Sequence, residues 1–174
     1  MAYLEENENI FALALGELCI TASASENHIR RFIHTLMANG DRKTSQIVTA
    51  DMHFSNLCSL VASLYSYKEK RRDKAEKVKL LMRQFRDVYK QRDEFVHSEW
   101  IAIAPTRAKK FKRFISFDVD IADIRSLSER FKTLNSELTP FIYDWEKEHP
   151  SKEFVEFLNY LTKGLNIPSG TDSK

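Results

Sequence analysis

Arg92 and His97 stand five residues apart in the stretch KQRDEFVHSEW, residues 90–100, at the close of a long helical pattern. A guanidinium presents a planar fork of donors suited to a carboxylate or a phosphate. An imidazole, with an ordinary pKa of about 6.5, moves protons near neutrality. Placed together, the two could hold an anion and transfer a proton beside it. At 100° per residue, Phe85, Val88, Arg92 and Val96 fall within about 40° of one direction. Arg92 thus occupies an apolar stripe, where a charge must be paired or face a polar group. His97 lies about 140° from Arg92 around an ideal helix, so the two do not share a face. They converge only if the helix ends near Val96, or if a second copy of the chain supplies the facing side. A purely structural arrangement uses the same residues: Arg92 paired with a buried carboxylate such as Glu17 or Glu26, and His97 favourably placed at the helix C-terminus.

The elements that must position this pair read as helices. Phe11, Leu15, Leu18, Ala22, Ile29, Ile33 and Leu36 recur at helical spacing, predicting a first helix over about 9–38 that Gly40 stops. Its middle, ITASAS, is built of small residues and would let another helix approach closely. The segment DRKTSQIVTA, 41–50, reads as a connector, and a second helix follows over about 51–66 with Phe54, Leu57, Val61 and Leu64 as its stripe. The third helix starts inside the mixed charge run KEKRRDKAEKVK, itself read as a solvated face, and carries Val78, Leu81, Phe85, Val88 and Val96. Beyond His97 the period changes. WIAIA and FKRFISFD read as two strands joined by PTRAKK, a hairpin over about residues 99–118. Asp120 then caps a long fourth helix bearing Ile124, Leu127, Phe131, Leu134, Leu138 and Trp145, with Pro140 expected to kink it. A last helix carries Phe154, Leu158 and Leu161 and ends at Gly164. The expected fold is all-α, a helical bundle with a small inserted hairpin, as one domain over 1–166 followed by a loose tail, 167–174.

Composition narrows the function classes. The 174 residues fit one domain, and a formal net charge of +2 does not by itself imply a nucleic-acid partner, so any basic patch must be local. No apolar run approaches the roughly 18 residues of a membrane span. The acidic start MAYLEENENI lacks the layout of a secretory signal, so a cytoplasmic location is expected. Cys19 and Cys58 fall in apolar stripes and read as reduced core thiols. The residue spacings contain no metal-ligand pattern, glycine-rich phosphate loop or serine–histidine triad, so no metal or cofactor is expected. His28, His34, His53 and His149 show no such spacing either.

RDEFVH, residues 92–97, resembles the R-x4-6-H signature of the HEPN superfamily, the higher eukaryotes and prokaryotes nucleotide-binding domains. Asp93 matches the polar residue that members often carry directly after the arginine. The context is similar too: the motif ends a late helix, after a long first helix and a shorter second one, and before a basic hairpin and a long closing helix. The likeness covers roughly residues 9–147 and extends to a group of bacterial proteins of that superfamily. It implies a metal-independent endoribonuclease of the toxin or phage-defence kind, acting as a homodimer. In that chemistry the ribose 2′-hydroxyl attacks the adjacent phosphorus, leaving a 2′,3′-cyclic phosphate and a free 5′-hydroxyl. The resemblance gives Arg92 the phosphate, His97 the acid–base or hydroxyl-positioning role, and Asp93 the task of orienting or tuning the pair. An antitoxin or regulatory protein is a further partner it suggests. Some relatives bind without cutting, so the alternative is a catalytically silent dimeric module that holds nucleic acid or a protein.

A second feature could serve RNA. Arg107, Lys109, Lys110, Lys112 and Arg113 form five cations with no intervening acid, interleaved with Phe111 and Phe114. Such interleaving suits phosphate contact with base stacking; equally, it describes a hairpin with solvated lysines and phenylalanines packed on the bundle. Trp100 and Tyr89 are assigned to the core or a dimer interface.

Overall fold

The computed structural model describes residues 2–37, 42–104, 107–112, 115–150 and 155. Within them the chain forms α1 (Ala2–Met37), α2 (Arg42–Thr49), α3 (Phe54–Lys68), α4 (Arg72–Val96), β1 (Glu99–Ala104), β2 (Arg107–Lys112), β3 (Ile115–Asp120) and α5 (Ile121–Glu148). It is a mostly helical fold with a small three-stranded antiparallel sheet of order β1-β2-β3. The expected last helix, Gly40, Gly164 and the tail 167–174 lie outside the described residues. No helix among the described residues is long and apolar enough to cross a membrane.

The four long helices bury the stripes read from the sequence. α1 runs along α5 and also meets α3, while α4 packs between α3 and α5. Leu18, Ile29, Phe32, Leu57, Val61, Val78, Phe85, Ile124, Phe131 and Leu138 are fully or almost fully buried where they meet. The small-residue segment of α1 does allow a close approach: Ser25 is buried and its Oγ accepts from Asn135 Nδ2 of α5 at 2.8 Å. Asp120 caps α5 in a full capping box, accepting from Ala122 N at 2.8 Å while Asp123 accepts from the Asp120 N–H at 3.2 Å. Helix α5 continues through Pro140 to Glu148. Both cysteines are free, and burial pushes the Cys58 thiol up to about 12.

Two expectations are corrected. The segment read as a connector, 41–50, is largely helix α2. Its buried positions are polar, Ser45 and Thr49, while its apolar Ile47 and Val48 are exposed, so the usual amphipathic signal is inverted. The hairpin is a three-stranded meander, because PTRAKK does not merely connect: residues 107–112 form the central strand. Ala108 pairs with Ala102 on one side and Val119 on the other and is buried. The next position on that face after Ala108 is Lys110, which conceals the period-2 pattern of a buried strand.

Candidate functional site

A cleft of about 830 Å³ opens where α1 near Glu26, the start of α3 and the last three turns of α4 meet. Arg92, Asp93 and His97 all line it. The convergence takes place within one chain, and the helix end explains it. α4 stops at Val96, and His97 is its C-cap at φ −97° and ψ 23°, its backbone N–H donating to Asp93 O at 3.1 Å. The exit is fixed just beyond, where Trp100 stacks on Phe95 at 5.9 Å and donates its indole N–H to Phe95 O at 2.8 Å. Trp100 is thus a packing residue, as assigned from the sequence.

Arg92 sits in the stripe as its spacing requires, with a side chain only 17% exposed. Its carboxylate partner is neither Glu17 nor Glu26. Glu17 binds Lys132, Glu26 binds Arg30, and Arg92 Nη1 donates to Asp93 at 2.8 Å. Nε of Arg92 is buried and meets no acceptor among the described residues. The guanidinium lies over the Tyr89 ring, 5.3 Å from its centroid, and Tyr89 in turn stacks on Phe54 at 4.0 Å. Burial is the strongest single influence and works against the Arg92 charge, but the hydrogen bond to Asp93 and the nearby Tyr89, Cys19 and Asp93 together outweigh it, so the net direction is upward. Burial likewise raises the Tyr89 phenol. Arg92 therefore stays a cation with donor capacity in hand.

Arg86 and Lys90 also reach the cleft, and a signal for them existed. Arg86, Lys90, Asp93 and His97 follow one another at spacings of four, three and four, a single polar stripe on α4. Arg92 belongs to the adjacent stripe and enters over Tyr89, so the cleft spans both faces. His53, just before α3, lines the same cavity and carried no sequence signal linking it to His97.

The cations of the central strand are divided between the faces of the sheet. Lys110 shares the face of buried Ala108, and its ammonium lies 4.9 Å from the Phe95 ring and 5.7 Å from Phe117. Arg107 and Lys109 share the other face, opposite Asp120 and Asp118 of β3 in register. Arg113 lies outside the described residues, as does the side chain of Lys112. The run that looks uniformly basic in sequence is thus split and partly matched by acids. Among the described residues no group of three or more His, Cys, Asp or Glu side chains is placed to hold a metal.

Set against protein-family models, curated proteins and solved structures, the chain matches none of them.

Proposed function

We propose that the protein is a metal-independent endoribonuclease of the HEPN type, working as a homodimer in the manner of a toxin or phage-defence nuclease. The observation that carries this reading is the buried Nε of Arg92, without an acceptor among the described residues, in one cleft with His97. A phosphodiester supplies the missing acceptor, and the guanidinium then offsets charge that grows on the phosphate oxygens during attack. The 2′-oxygen bonds to phosphorus, the bond to the 5′-oxygen breaks, and His97 moves a proton in the exchange or positions the hydroxyl. Asp93 holds the guanidinium at 2.8 Å and orients it. Support for a second copy comes from α1, where Leu13 and Ile20, each 73% exposed, stand seven residues apart on one face.

The test is cleavage of RNA in EDTA, lost in His97→Ala and Arg92→Ala variants whose dimer persists. DNA should resist, since it lacks the attacking hydroxyl. Wild-type protein that leaves diverse RNAs intact, tRNA included, overturns the reading. One observation favours the silent-module alternative: Glu26, Asp87 and Asp93 match Arg86, Lys90 and Arg92 in number along the cleft. On that alternative the alanine variants lose the dimer or its stability instead of an activity.

A further inference from the structure

The HEPN-type reading assigns one imidazole per chain, yet cleavage of a phosphodiester by its neighbouring hydroxyl involves two proton transfers. One proton leaves the 2′-oxygen and another must reach the 5′-oxygen. We propose that His53 is the second proton-transfer residue, so that a single protomer's cleft holds an acid–base pair, His53 and His97, about the phosphate bound by Arg92. This rests on the endoribonuclease reading above.

The position of His53 is built by its neighbours. It is the N-cap of α3, with φ −62° and ψ 151°, and its carbonyl accepts from Asn56 N at 2.9 Å and Leu57 N at 3.1 Å. Its imidazole makes no cap hydrogen bond. Serine, threonine, aspartate or asparagine would cap a helix better by about 1 kcal/mol, so helix stability does not account for a histidine there. The next residue, Phe54, is buried and stacks on Tyr89, the ring that carries the Arg92 guanidinium. On the other side, Arg30 donates to the carbonyls of Thr49 and Met52, fastening the turn that leads into His53. His53 and Arg92 are thus tied to each other through one aromatic stack, and His97 is fixed separately by the end of α4.

The surroundings suit an anion in the cleft that both histidines line. Glu26 is occupied by Arg30 at 2.8 Å, and Asp93 is engaged with Arg92. Asp87 faces the cleft together with Arg86 and Lys90. The first turn of α3 contains no acid, so its N–H groups add positive partial charge beside His53. In the step itself, one neutral imidazole takes the 2′-hydroxyl proton as the O2′–P bond forms. The other, as imidazolium, gives its proton to O5′ as the P–O5′ bond breaks. The two side chains exchange protonation states and return to them by proton exchange with solvent.

The experiment is the pH–rate profile of RNA cleavage by the full-length wild type and by His53→Ala, in EDTA, with and without added free imidazole. His53 is exposed, so the variant should keep the wild-type melting temperature. The expected result is a rate loss of about 100-fold or more, loss of one limb of the bell-shaped profile, and partial recovery with imidazole. A wild type that cuts beside a His53→Ala that cuts equally well overturns this proposal and leaves the nuclease reading standing. A slow variant that retains both limbs and ignores imidazole also overturns it, marking His53 as structural. A wild type that cuts nothing overturns both.

Discussion

Arg71 and Arg92 lie on the same helical hairpin, at the turn before α4 and near its end, and they are used in opposite ways. Arg71 is 45% exposed, yet it is the better satisfied of the two. Its backbone N–H and Nε both donate to Glu69 Oε1 at 2.9 Å, and Nη2 reaches Glu69 Oε2 at 2.9 Å and Glu148 at 2.8 Å. Glu69 also accepts from Tyr65 Oη at 3.2 Å, so the carboxylate clips the α3–α4 turn to the core and, through Arg71, to the end of α5. Arg92 is buried to a greater degree and has one carboxylate contact, with Nε unmatched. Buried donors are ordinarily the satisfied ones, so the inversion points to a ligand for Arg92 and to architecture for Arg71.

The sharpest way to break this contrast is to replace each arginine by methionine. Arg92→Met should reduce RNA cleavage by about 100-fold or more, the scale of losing one donor to a developing anion. Its stability should hold or rise by about 1 kcal/mol, because an unmatched buried donor has been removed. Arg71→Met should do the reverse, keeping the cleavage rate and lowering the melting temperature. Parallel thermal melts and cleavage assays check both, and a destabilised Arg92→Met would place Arg92 with Arg71 as a structural residue. Next in size is Glu69→Ala, which removes the acceptor at the centre of the clip from a side chain only 5% exposed. A loss of about 1–2 kcal/mol in chemical denaturation is expected, with cleavage unchanged.

Acid should find the clip before it finds the fold as a whole. Hydrogen bonding from Arg71 holds the Glu69 carboxyl at about 2, below its ordinary 4.5 and despite its burial. Because the folded state binds this proton less readily than the unfolded chain, its stabilisation is complete above pH 4.5 and is lost as pH falls towards 2. Glu69→Gln should therefore flatten the stability–pH curve within that window, being less stable than the wild type near neutrality and converging on it as the pH falls towards 2. His28 adds a milder dependence: burial lowers it below 6.5, so its contribution is complete above that value and declines as the pH falls further.

How much of this was legible depended on whether local periodicity carried the information. α1, α3, α4 and α5 declare themselves because Leu, Ile, Val and Phe repeat at helical spacing, and Arg92 stands out because it interrupts such a stripe. α2 is hidden because Ser45 and Thr49 take its buried positions. The central strand is hidden because Ala108 alone marks its inward face before the lysines begin. His97 stands well round from Arg92 on an ideal helix, and of the two routes to convergence open in the sequence, the helix end at Val96, with a cleft two stripes wide, brings them to one cavity. His53 was beyond reach, since only the Phe54–Tyr89 stack relates residue 53 to residue 92. Cross-strand acids are equally invisible in a linear run, which is why residues 107–113 read as uniformly basic.

That last point supplies the smallest expected effect. Arg107 and Lys109 stand opposite Asp120 and Asp118 in register across the strand pair, so each has an acid as a cross-strand neighbour, without the direct carboxylate hydrogen bonds of Arg71. Two free phosphate contacts to single-stranded RNA would steepen the plot of log binding constant against log salt by about 1.4, at about 0.7 per contact. Cations already opposite carboxylates have less to gain from a phosphate, so Arg107→Gln with Lys109→Gln should change that slope by less than about 0.7. Binding should weaken only slightly, and cleavage at saturating RNA should not change. A slope change near 1.4 in filter-binding titrations would show that the sheet holds RNA directly, and the cleft around Arg92 would no longer be the sole contact surface of the proposed nuclease.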